Sequence, residues 1–158
     1  MNIGIWYHRY QQEKYSRDLQ EEFLPFMIEA GTYQNKQSNV VFLESIVQHW
    51  NSPVGDYTQR AARMSHGSPF CFPLATNYSV SLEGDWRNYI VRQELSAILK
   101  PGNNITLLPI AEALVAAETA HMSSSDCTHM CYFPTLFQFL WHALQLVASK
   151  NCMGKYCL

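Results

Sequence analysis

Residues 105–110 read ITLLPI, and the reading of this run decides the fold. It is short, apolar and closed by Pro109, which cannot donate to a sheet, so it reads as a buried strand. Working outward, residues 39–44 (NVVFLE) and 2–7 (NIGIWY) read the same way. Helical patterns stand between and after these runs. Residues 15–30 (YSRDLQEEFLPFMIEA) put Leu19, Phe23, Phe26 and Met27 on one face, with Ser16 as cap, Pro25 as kink and Gly31 as stop. Residues 86–99 offer Tyr89, Ile90, Leu95 and Ile98 as apolar contacts before Pro101-Gly102 breaks the helix. Residues 111–120 are Ala-rich and helix-prone, 123–134 read as a loop, and 135–149 as a strong last helix. Strands that alternate with helices predict an α/β fold with a mostly parallel sheet. Residues 45–82 show no period; their aromatics and Cys71 predict a long ordered loop.

Composition narrows the function. The 158 residues suffice for one domain with a real core. Only 15% are charged and 13% are aromatic, the reverse of a disordered chain. The formal net charge is -2, with 11 Lys and Arg and no basic stripe, which argues against a nucleic-acid partner. No apolar run reaches the roughly 18 residues of a membrane span; residues 133–147 are interrupted by Gln138, His142 and Gln145. Cys71, Cys127, Cys131, Cys152 and Cys157 form no Cys-x-x-Cys pair. Two glycosylation sequons begin at Asn77 and Asn104, and with the cysteines they lean toward an oxidising, secretory compartment. No signal peptide precedes them, and a core strand opens almost at Met1, so a truncated start is expected.

The chemistry concentrates in residues 125–131, SDCTHMC. Asp126 and His129 stand three apart. In a loop this spacing sets a carboxylate beside an imidazole, which fixes the tautomer so that the other ring nitrogen can take a proton from a serine hydroxyl. The ordinary reading of the same residues is a helix cap and an exposed histidine.

The block DCTHMC, followed by YFPTLFQFLWHALQLV, resembles the end of the PC-esterase/trichome birefringence-like family of SGNH-type polysaccharide O-acetyltransferases and esterases. Asp126, Cys127, His129, Cys131, Pro134 and Trp141 fit its last block, while Met130 departs from the usual aromatic. NIGIWYH at 2–8, VFLESIVQHWNSPVGDY at 41–57, Cys71, NITLLPIAEAL at 104–114 and His121 extend the likeness in order. The family's Gly-Asp-Ser nucleophile block has no counterpart here, where Gly55-Asp56-Tyr57 and Gly84-Asp85-Trp86 stand instead. The resemblance therefore implies one partial domain over residues 1–158. That domain is the C-terminal half of an SGNH-like (flavodoxin-like) doubly wound fold, a mostly parallel sheet with helices on both faces.

In that reading Asp126 orients His129, the general base of a Ser-His-Asp triad whose serine lies outside this chain. An acyl group, acetyl by resemblance, passes to a polysaccharide hydroxyl or to water. The implied partners are a polysaccharide or glycan substrate and the absent N-terminal half. The resemblance implies no bound cofactor, leaves the acetyl donor open and implies a place in the Golgi lumen or secretory pathway, for which this chain carries no targeting signal. Asn2, with Gly4, is an oxyanion candidate, and His49 a substrate contact. Disulfides fit the family: Cys71–Cys127 first, then Cys131 with a cysteine of the absent half, and Cys152 with Cys157 or both free. A metal set of Asp126, His129, the flanking thiolates and His121 lacks the paired spacing of a zinc site. Trp50, Tyr57, Phe70, Phe72 and Trp86 would form a glycan groove or pack the loop. The alternative function is a non-catalytic glycan-binding or interaction remnant.

Overall fold

In the computed structural model the two central apolar runs pair side by side. The structure describes residues 7–32, 40–50, 52, 55, 71, 74, 78–98, 105–123, 126–130 and 134–148. Strand β1 (Val40–Leu43) lies parallel to β2 (Ile105–Leu108), with Val40 opposite Ile105 and Leu43 opposite Leu108. Alternation along each strand divides the side chains between two apolar clusters. Phe42, Ile105 and Leu107 enter one cluster, with Tyr15, Leu19, Met27, Trp86, Val91 and Leu95. Val41, Leu43 and Leu108 join the other, with Val47, Leu114 and Ala143. The first cluster is covered by α1 (Gln12–Asp18), α2 (Leu24–Thr32) and α3 (Trp86–Ile98), the second by α4 (Pro134–Ala148). Helices thus clothe both faces of a parallel pair.

The expected first helix begins earlier and runs past both its expected kink and its expected stop. It is α1 and α2 joined by a π-helical turn, Leu19–Phe23, in which the Leu24 N–H donates to the Leu19 carbonyl. That widened turn precedes Pro25, so the chain passes the proline without breaking. The extra residue also rotates the helix beyond it. Leu24 and Met27 are buried, and Phe26, expected inside, is 59% exposed. Ser16 does not cap: it sits inside α1, and its hydroxyl donates to Glu94 on α3.

Helix α3 starts where Asp85 accepts from the Asn88 N–H, an N-cap contact. Gly84-Asp85-Trp86 therefore serves as a helix start. Trp86 is fully buried, edge-on to Tyr15, so it belongs to the core and not to a glycan groove. The Asn88 side chain accepts from the Ser45 N–H at 2.8 Å and donates to the Ser45 carbonyl at 2.9 Å, standing in for a neighbouring strand. Glu44, fully buried, receives Arg92 Nε at 2.7 Å and the Ala111 N–H at 3.1 Å. A buried carboxylate without partners costs several kcal/mol, so these contacts decide where the chain leaves β1. Residues 44–50 are thereby pinned beside the ends of both strands.

Two further expectations are corrected. The Ala-rich stretch forms two short 3-10 turns, Glu112–Leu114 and Glu118–Ala120, and no α-helix. The loop expected over 123–134 holds two strands in part: β3 (His121–Ser123) pairs antiparallel with β4 (Asp126–Met130) across an irregular register. The expected strand over 2–7 lies outside the described residues except for Tyr7.

Candidate functional site

Strand β4 carries the site, and Asp126 organises it. Its Oδ1 accepts the backbone N–H groups of Thr128 at 3.1 Å and His129 at 3.0 Å. Short Asx side chains make such turns readily because the carboxylate reaches amides two and three residues on. The turn carries the His129 ring back over the same carboxylate, with Nδ1 at 2.9 Å from Asp126 Oδ2. Partial desolvation raises the Asp126 carboxyl, but the backbone and ring N–H groups of His129 and the Thr128 amide outweigh it and hold the acid below its ordinary value. The ionised carboxylate keeps the proton on Nδ1, which puts the lone pair on Nε2. The imidazole is half-exposed, so it is open to solvent.

Residues 48–50 hold β4 from behind, one residue after another. Gln48 Nε2 and Trp50 Nε1 both donate to Thr128 Oγ1, at 3.2 and 3.0 Å. The His49 backbone N–H donates to the Cys127 carbonyl at 2.9 Å. Cys127 is disulfide-bonded to Cys71, whose backbone pairs with that of Trp50 in an isolated antiparallel β-bridge. The bond ties the long loop to β4, as the resemblance implied. It also removes the Cys127 sulfur from any thiolate ligand set.

His49 is fully buried. Its Nδ1 meets His121 Nε2 at 2.8 Å, its Nε2 meets the Val115 carbonyl at 3.0 Å, and His121 Nδ1 meets the His129 carbonyl at 3.1 Å. Sequence reasoning gave His121 little weight and Thr128 none. Only the meeting of segments far apart in the chain reveals them. Asn2, Gly4, Asn77, Asn104, Cys131, Cys152 and Cys157 lie outside the described residues, as do Tyr57, Phe70 and Phe72. Trp141 is 63% exposed on α4.

Among the described residues no group of three or more His, Cys, Asp or Glu is placed to hold a metal ion. Among them, too, no helix is long and apolar enough to cross a membrane. No protein-family model, no curated protein and no solved structure matches this chain.

Proposed function

We propose that this chain supplies the acid/base pair of an SGNH-type site that transfers an acyl group to polysaccharide hydroxyls or, as an esterase, to water. The observation that supports it is the Asp126–His129 pair, a half-exposed imidazole whose Nδ1 is held 2.9 Å from an ionised carboxylate. A serine from outside residues 1–158 is the nucleophile. His129 Nε2 takes the serine proton as Oγ attacks the acyl carbonyl, and returns it to the oxygen that leaves the acyl donor when the tetrahedral adduct collapses. The acyl-enzyme then passes its group to another hydroxyl or to water. Asp126 stabilises the imidazolium formed between these steps. The parallel pair clothed by helices on both faces is consistent with a doubly wound frame, and the Cys71–Cys127 bond with an oxidising secretory lumen.

The test is acetate release from an O-acetylated polysaccharide and from 4-nitrophenyl acetate, by the protein as its cells produce it. Asp126→Asn preserves shape but frees the tautomer, and should lower turnover by about 10⁴-fold, the loss the same change produces in a serine-protease triad. His129→Gln should act at least as strongly. Folded protein that releases no acetate from either substrate, or variants that work at the parent rate, would overturn the assignment.

A further inference from the structure

Behind β4, three contacts connect two histidines to two carbonyls, and the protons needed to bond them can be counted. The contact from His49 Nε2 to the Val115 carbonyl, at 3.0 Å, needs a proton on Nε2. The contact from His121 Nδ1 to the His129 carbonyl, at 3.1 Å, needs one on Nδ1. A carbonyl only accepts, so neither proton can come from the other side. Between the rings, His49 Nδ1 and His121 Nε2 stand 2.8 Å apart. Two neutral imidazoles own two N–H groups in all, and both are spent on the carbonyls. Two bare lone pairs would then face each other at hydrogen-bond distance. A third proton removes the conflict.

We propose that His49 and His121 share one proton as an imidazole–imidazolium pair, and that the pair is a positioning device for His129. Sharing spreads the charge over two rings set at 69° to each other. It also makes the central bond charge-assisted, about twice as strong as a neutral one. Burial is severe here, with His49 at 0% and His121 at 8% exposure. A metal bridge does not fit, because nitrogens that bind one metal at ~2.1 Å each stand farther apart than these. The pair reaches the site through the backbone. His121 anchors the His129 carbonyl, and the His49 amide anchors the Cys127 carbonyl, so both sides of Thr128 are held from one place. Among the described residues, titratable and charged groups on the surrounding elements include Asp126 and His129 on β4, Glu112 before Val115, Arg92 on α3 and Glu44 on the segment of His49 itself. Asp126 is engaged by His129, and Glu44 and Glu112 by Arg92.

The positioning role rests on the acyl-transfer reading; the shared proton does not. The experiment is nitrogen-15 NMR of the whole protein with labelled histidine at pH 7. The expected result is three ring protons over His49 and His121, and a scalar coupling across the hydrogen bond between His49 Nδ1 and His121 Nε2. His49→Gln identifies the signals by removing that coupling. In a folded variant it should also lower the fraction of His129 with its proton on Nδ1. Two neutral rings with no coupling in the folded parent protein would overturn the shared proton. A coupling present in the parent, with an unchanged His129 tautomer in a folded His49→Gln, would overturn the positioning role. Failure of the acyl-transfer reading would show separately, as absent acetate release beside an intact coupling.

Discussion

The amide of His49 donates to the carbonyl of Cys127 at 2.9 Å, which lays the segment after β1 directly against the strand that bears Asp126 and His129. A neutral hydrogen bond of this kind contributes about 1 kcal/mol. Its importance is geometric. It sets the register in which Gln48 and Trp50 reach Thr128 and the His49 ring reaches His121. The Asp126–His129 pair is therefore supported by a buried polar layer and not by its own local turn alone.

The disulfide should contribute most of the support from the long loop. Cys71 and Cys127 are 56 residues apart, and closing a loop of that length restricts the unfolded chain by about 4 kcal/mol in the chain-entropy model. Cys71→Ser with Cys127→Ser should therefore lower the unfolding free energy by about 2–4 kcal/mol. Urea denaturation of parent and double variant under oxidising conditions measures the difference. With a reductant present the two curves should converge.

Gly55 should not accept a side chain. Its φ is +73°, a region that costs a non-glycine residue roughly 1–2 kcal/mol. A β-carbon there would also lie 2.0 Å from the Gln48 carbonyl oxygen, a backbone atom that must shift. That shift propagates to the Gln48–Trp50 segment. Gly55→Ala should cost more than about 2 kcal/mol and weaken the Trp50 indole bond to Thr128. Thermal unfolding reads the first effect, and the indole N–H resonance reads the second.

Stability should fall at both ends of the pH range. Asp126 is held below its ordinary value despite partial desolvation, by His129 and Thr128; Asp18 is held down by Lys14 first and then Tyr7. Depressed acids stabilise the fold above their unfolded value of about 3.9, and that contribution is lost as pH falls through the lower folded value. On the alkaline side, desolvation and then Asp18 push Tyr7 up to about 12. A raised phenol stabilises the fold fully below its unfolded value near 10, and the contribution disappears as pH rises toward 12. Chemical denaturation from pH 2 to 12 should show both limbs, and Asp126→Asn should flatten the acid limb.

Much of this was legible from residue order. The runs at 39–44 and 105–110 announced buried strands because continuous aliphatics leave no solvent face, and they pair in parallel as β1 and β2. The helices over 86–99 and 135–149 appear within a residue of their expected bounds as α3 and α4. Asp126 and His129 were nameable because their pairing is local: an Asx turn needs only a three-residue span.

Other features had no local signature. Phe26 faces solvent because a π turn ahead of Pro25 adds a residue and rotates the helix, an effect that a fixed period of 3.6 does not contain. The Ala-rich stretch forgoes its helix propensity where Ala111 and Leu114 are drawn into the second core. The layer behind the site joins Gln48, His49, Trp50 and Cys71 to His121, Cys127 and Thr128. Sequence by itself determined β1, β2, α3, α4 and the one pair that spans a single turn, because short-range sterics and periodic burial act along the chain. Tertiary structure alone decided that His49 is a buried support and not a surface contact, because its partners are carbonyls and rings delivered by other segments, and such bonds exist only once the chain has folded.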